Sequence, residues 1–290
     1  MTVVAGQPPA PTIAVTPLRS AAAASRIALG ALLLRDLTVL RKHVLEFVLR
    51  TLIQPFLLVF VFLYVFPQIG QSVGGGRGSS TFATVLVPGV VGISVMFQGV
   101  QSVALQLSQE FGFTREIEDR VQAPCPVWLV AVAKIVAGLI QGLLAALIVF
   151  PIASVVHAAG VHAVFNIRWW VVLTLLPLTC VVFSAGGLLL GCVFEPRNIG
   201  LMFGFIVLPI TFLGGTYYQW TRLAPVKVGG FSWLQILVCI NPLVYVNEGL
   251  RGAFTNSAHM HFYIVYPVLI GFAVLFLAAG VRAFRRRVLS

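Results

Sequence analysis

Charge is what this chain has least of. Charged residues make up 9% of its 290 positions, against about 25% in a soluble domain, so the polar surface that water demands is missing. Acidic residues are the scarcer sign, 8 Asp and Glu against 19 Lys and Arg. Cys125, Cys180, Cys192 and Cys239 lie far apart with no CxxC spacing, and form neither a metal site nor an evident disulfide framework. No GxxxxGK[ST] phosphate loop, HExxH zinc helix or GxSxG nucleophile turn occurs. The pairs His157/His162 and His259/His261 have no neighbouring carboxylates or cysteines to complete a metal site. The sequence therefore offers no catalytic residue and no resident cofactor.

What is present is apolar: hydrophobic residues make up 59% of the chain, with a mean hydropathy of +1.00. No Lys, Arg, Asp or Glu occurs in 51–76, 78–109, 135–167, 169–194, 198–221 or 252–281. Each interval exceeds the ~20 residues that cross a hydrocarbon core as a helix. The sequence thus predicts an all-α membrane protein with six transmembrane helices, near 51–69, 82–107, 132–156, 169–192, 198–217 and 263–284. The apolar material leaves no room for a separate soluble domain, so 25–290 reads as one transmembrane domain. The net charge of +11 does not call for nucleic acid, because the basic residues sit between apolar runs, where helix ends meet anionic lipid headgroups. Most of them fall on one side if both termini are cytoplasmic, and the C-terminal RAFRRR pins the last span there.

The eight carboxylates, Asp36, Glu46, Glu110, Glu116, Glu118, Asp119, Glu195 and Glu248, fall in connecting segments or at span edges. Transporters that couple to protons or ions keep ionisable groups inside the membrane, so a self-powered carrier is disfavoured. A membrane enzyme acting on lipid-linked substrates is the other alternative, and no polar catalytic cluster supports it. GxxxG pairs at Gly138/Gly142, Gly187/Gly191 and Gly200/Gly204 predict close helix packing.

Three connecting regions carry pattern. Residues 1–24 are rich in Ala, Pro and Thr, and read as a disordered cytoplasmic tail. Residues 25–50 put Arg35, Lys42, Glu46 and Arg50 on one helical face and Leu33, Leu37, Leu40, Val44, Phe47 and Val48 on the other. That pattern predicts an amphipathic helix in the headgroup plane before span one, or else a plain cytosolic extension of that span. The loop SQEFGFTREIEDRVQAPCPVW (108–128) concentrates both signs of charge, with Thr114 placed to cap a short helix and Pro124 and Pro126 to end it. It suits docking to a soluble partner, or is an ordinary solvated loop. Between spans five and six, FSWLQILVCINPLVYVNEGLRGAF is amphipathic and aromatic, with a helix start at Asn241–Pro242. It predicts a membrane-surface or re-entrant helical element, with Glu248 and Arg251 spaced i,i+3 for an ion pair.

In this order, LLLRDLTVLRKH, TREIEDRVQAPCPVWLVAVAK, FLGGTYYQW and INPLVYVNEGLRG resemble the ABC-2 type family of ATP-binding-cassette transporter permeases, over roughly 25–287. The resemblance implies a six-span subunit in the bacterial plasma (inner) membrane, with both termini cytoplasmic. It would form a homodimer or heterodimer with a second permease, and a separate ABC ATP-binding subunit would bind the ATP and Mg. It also implies a coupling helix at Thr114, Arg115, Glu116, Ile117, Glu118, Asp119 and Arg120, and an external re-entrant element shaped by Asn241, Pro242, Tyr245, Glu248 and Arg251. Spans two and five usually face the pathway in similar exporters, which places Phe97, Gln98, Phe203 and Phe205 near it. Similar exporters move hydrophobic drugs, polyketides or lipids out of the cytoplasm or inner leaflet, and others move polysaccharide or glycolipid.

Overall fold

A computed structural model of the chain describes residues 21–69, 80–112, 126–155, 165–225 and 232–289. Among these the chain is helical, and six helices are long and apolar enough to cross a bilayer. We name α1 Ala21–Lys42, α2 Val44–Gln68, α3 Ser80–Gly112, α4 Val127–Val155, α5 Trp169–Val193 and α6 Pro196–Leu213. After these come α7 Trp233–Val238, α8 Pro242–Phe254 and α9 Phe262–Leu289. Spans one to six are α2 to α6 and α9. Their alternation puts α1 and the end of α9 at one end of the bundle, the terminal face, and α7 and α8 at the other, the distal face.

The stretch 25–50 is not one helix. α1 begins at Ala21, inside the segment assigned to the tail, and ends at Lys42. His43 breaks it with φ −113° and ψ 30°, and residues from Val44 onward belong to span one. The break resets the helical phase, so the apolar face expected across 25–50 is split: Phe47 is buried while Leu37 and Val44 stay exposed. α1 lies against α4.

Span two is the axis of the bundle. It packs against α4 and α5, while α9 packs on α5 from the other side. Two of the three GxxxG pairs make these crossings. A Cβ on Gly138 would stand 2.6 Å from Ser184 Oγ, and one on Gly187 would stand 2.8 Å from the Val100 carbonyl. Only glycine lets the backbones meet so closely. The third pair, Gly200/Gly204, faces open space. It lies on α6, a peripheral helix whose Leu201, Phe205, Leu208 and Phe212 form an exposed stripe.

Two prolines leave their mark inside spans. Pro55 in α2 is followed by a π-helical stretch, Phe60–Val65, and Pro209 in α6 is preceded by one, Phe203–Val207. A proline withdraws one N–H and crowds the carbonyl four residues back, and a wider π turn takes up the mismatch. α6 ends at Leu213 rather than near 217, because Gly214 and Gly215 stop it. Gly215 adopts φ 68°, a conformation glycine reaches without a Cβ clash. Exposed tryptophans stand at both ends of the bundle, Trp128 at the terminal face and Trp169, Trp170 and Trp233 at the distal face, where amphipathic rings meet headgroups.

Candidate functional site

Among the described residues, the buried polar side chains that bridge separate helices include three groups, one at each end of the bundle and one between. At the distal face α7 and α8 form a helical hairpin. Its second helix is not amphipathic in its surroundings: every residue from Pro242 to Phe254 is buried, among α3, α5 and α9. Asn241 starts it. Its Oδ1 accepts from the Leu243 N–H at 2.9 Å, the usual N-cap bond, and its Nδ2 donates to the Ile210 carbonyl on span five at 2.7 Å. Pro242 follows at the first helical position, where no N–H is needed. Tyr245 donates its hydroxyl to the Cys239 carbonyl at 2.9 Å and so closes the hairpin turn. The far end is closed from the lead-in to span four, where the Asn166 and Arg168 N–H groups donate to the Phe254 and Ala253 carbonyls.

Glu248 and Arg251 occupy the middle of this helix, each at 0% exposure. Glu248 Oε1 accepts from Arg251 Nη1 at 2.7 Å and from the Trp220 N–H at 2.9 Å, while Oε2 accepts from the Met260 N–H at 2.9 Å. Arg251 Nη2 donates to the Gly215 carbonyl and, at 3.3 Å, to that of Thr216, and Nε donates to Val85 O at 3.4 Å. Burial of both charges is tolerable because nearly all their hydrogen-bonding groups are used. The pair thereby ties the end of span five, the start of span two and the lead-in to span six to one helix. Asn247 beside it donates to Gly214 O at 2.8 Å and to Thr216 Oγ1 at 3.0 Å. Its Oδ1 lies against Gly92, where a Cβ would collide with it. Nearby, burial raises the pKa of the Tyr217 and Tyr218 hydroxyls above the usual tyrosine value.

Between the faces, three helices share an amide chain. Thr51 Oγ1 donates to Gln98 Oε1 at 3.2 Å, and Gln98 Nε2 donates to Gln141 Oε1 at 3.1 Å. Gln98, 3% exposed, thus joins spans one, two and three rather than opening to a surface. Phe97 and Phe203 are partly buried against the main core. Phe205 is 78% exposed on the outer face of span five. Within one chain the four residues assigned to a pathway do not share a surface.

At the terminal face Lys134 is buried, 2% exposed. Its Nζ lies 2.7 Å from Glu110 Oε1, 3.4 Å from Gln106 Oε1 and 3.7 Å from Asp36 Oδ2. Glu110 therefore does not sit in a connecting segment: α3 continues to Gly112 and carries it inward, with Lys134 supplying the opposite charge. A helix from Phe82 to Gly112 has 31 residues, about 46 Å at 1.5 Å per residue, against a hydrocarbon core of about 30 Å. The last turn thus extends beyond that core. Lys134 also joins α1 to spans two and three, a contact the amphipathic pattern of 25–50 did not signal. Residues Thr114, Arg115, Glu116, Ile117, Glu118, Asp119 and Arg120 lie outside the described residues, as do Cys125, His157 and His162.

Beside that ion cluster, α1, α2, α3 and α4 enclose a cleft of about 290 Å³ at the elbow formed by His43. The sequence signal for it was a polar stripe on span two, in which Gln98, Gln101, Ser102 and Gln109 recur at helical spacing.

Two comparisons with known proteins bear on this architecture. Over 232 residues the chain is 32% identical to the inner membrane transport permease YadH of Escherichia coli K12, a match covering 78% of this chain and 84% of the relative. The YadH protein of Shigella flexneri matches with the same identity and coverage. Residues 28–255 match the ABC-2 type transporter family, a segment that runs from α1 through the buried hairpin helix. The chain belongs to the ABC-2 type transporter family.

Proposed function

We propose that this chain is the membrane-spanning subunit of an ATP-driven exporter, moving hydrophobic or amphipathic cargo such as a drug, polyketide or lipid out of the cytoplasm or inner leaflet. Family membership over 28–255 carries this reading. Three features support it. The spans carry no carboxylate near their midpoints that could run a proton or ion cycle, so the energy must enter from a partner. The charged run Thr114–Arg120 lies in sequence between spans two and three and carries both signs of charge, which suits docking to a separate ATP-binding subunit that holds the ATP and Mg. The exposed stripe on span five and the exposed apolar residues of span one, Ile53, Phe56 and Leu57 among them, suit contact with a second permease subunit.

In this reading the terminal face is cytoplasmic, because Arg282, Arg285, Arg286 and Arg287 cluster there. The protein then resides in a bacterial inner membrane with both termini inside. The distal hairpin closes the external side, and neither spans nor hairpin perform chemistry on the cargo.

The test is reconstitution. The chain, co-expressed with its ATP-binding partner and purified, should retain that subunit, and vesicles holding the pair should move a hydrophobic fluorescent dye only when ATP is supplied. Dye movement driven by a proton gradient without ATP would contradict the proposal.

A further inference from the structure

The cleft at the elbow between α1 and α2 has a lining unlike the rest of the bundle. Four glutamines converge on it, Gln101, Gln106 and Gln109 from span two and Gln141 from span three, with Ser102 beneath them. Gln141 and Ser102 are buried, yet both line the cavity. Amides at the end of an apolar bundle carry a desolvation cost unless they find partners. Gln141 is held by Gln98, whereas the Gln101 side chain has no hydrogen-bond partner among the described residues. The charges around the rim nearly cancel. Asp36 faces Lys134 at 3.7 Å, Glu46 faces His43 at 3.4 Å, and Arg50 stands at the opening.

We propose that this cleft binds the head of an amphipathic molecule, a compact, uncharged head bearing hydroxyl or amide groups. Three observations define the ligand. A volume of about 290 Å³ lies at the low end of small-molecule sites, which run about 300–1,000 Å³, so the cleft takes a head and leaves a tail outside. An amide both donates and accepts, which matches hydroxyl and amide groups and gives no advantage to a bare hydrocarbon. Among the described residues a phosphate head would meet Asp36, Glu46 and Arg50 at the rim, while the flanking Lys134 and His43 already face those carboxylates. The tail has a place to go, since Val39 at the cleft and Leu45 and Leu49 on α2 are exposed apolar side chains. That this molecule is cargo rests on the exporter reading above; that the cleft binds it does not.

The test uses the full chain in lipid nanodiscs with two photoactivatable probes of one chain length, a diazirine-bearing dodecyl glucoside and a diazirine-bearing dodecyl phosphate. The glucoside should label peptides spanning 36–50 and 101–109 and the phosphate should not. Gln101→Leu should lower glucoside labelling about five-fold, the worth of one hydrogen bond. Gln101→Glu should retain the fold by size and polarity and shift labelling toward a dodecylamine probe of the same design. Equal labelling by both original probes, or glucoside labelling indifferent to both substitutions, overturns the proposal. Vesicles holding the ATP-binding partner separate the two readings. Labelling without ATP-driven movement of the glucoside leaves the site standing and removes its role as a cargo site. Movement without labelling keeps the exporter and overturns the site.

Discussion

Glu248 and Arg251 lie one helical turn apart at the centre of the molecule's most buried helix, joined at 2.7 Å and sealed from solvent. Between them they engage backbone groups of Gly215, Thr216, Trp220, Met260 and Val85. The pair is thus less a bond between two side chains than a node where four segments meet. Removing one partner should strand the other in an apolar interior. Glu248→Gln and Arg251→Met should each destabilise the protein by about 3–5 kcal/mol, seen as loss of the monodisperse peak in detergent. Joining Glu248→Leu to Arg251→Met should recover only part of the loss, since the carbonyls of Gly215 and Thr216 stay unsatisfied. Full recovery would mean that the backbone bonds contribute little.

The glycine pairs make a contrasting prediction. Gly187→Ala would push a methyl group to 2.8 Å from the Val100 carbonyl, and overpacking of this kind costs about 1–3 kcal/mol. Gly204→Ala meets nothing within 4 Å and should be neutral or mildly stabilising within the subunit, as helix propensity favours alanine. Thermal melts of the two variants, read side by side, check this.

Lys134 is the counter-charge for a buried carboxylate, so its removal should harm more than its removal together with that carboxylate. Lys134→Met alone should cost about 3–5 kcal/mol, and adding Glu110→Gln should restore much of it. If the double variant is as unstable as the single one, the Asp36 contact of α1 is the larger share of what Lys134 does.

Charge reversal at Glu116, Glu118 and Asp119 tests the proposed docking of an ATP-binding subunit on this run. All three as lysine should abolish ATP-driven transport while leaving membrane insertion intact, measured by dye flux and by accessibility labelling. Transport at the normal rate would remove the docking role from this run.

The spans were legible because the membrane imposes a length and excludes charge, and both are visible in a single chain. Their ends were less so. Span five stops at Leu213 because of a left-handed turn at Gly215, and the apolar TYY that follows disguised it. The break at His43 was hidden by continuous helical periodicity on both sides. Glu110 looked like a loop charge, since its burial depends on a partner 24 residues away. Asn241, Glu248 and Arg251 were visible as a motif, but their partners were not. Those partners are mainly backbone groups, the carbonyls of Ile210, Gly215 and Thr216 and the N–H groups of Trp220 and Met260, and a backbone group leaves no trace in the identity of its residue. The cleft glutamines of span two, Gln101, Gln106 and Gln109, were present in the sequence but not singled out; only Gln98, on the same helix, was.

The burial of α8 also orders the making of the protein. Its wall is completed by α9, which leaves the ribosome after α8, so the hairpin cannot seat until α9 has been threaded into the bilayer. Until then Glu248 and Arg251 must wait, hydrated and charged, outside the apolar core that will enclose them. The hairpin therefore seats only after α9 has joined the bundle. A chain truncated before Phe262 should retain its first five spans yet leave this segment open to protease.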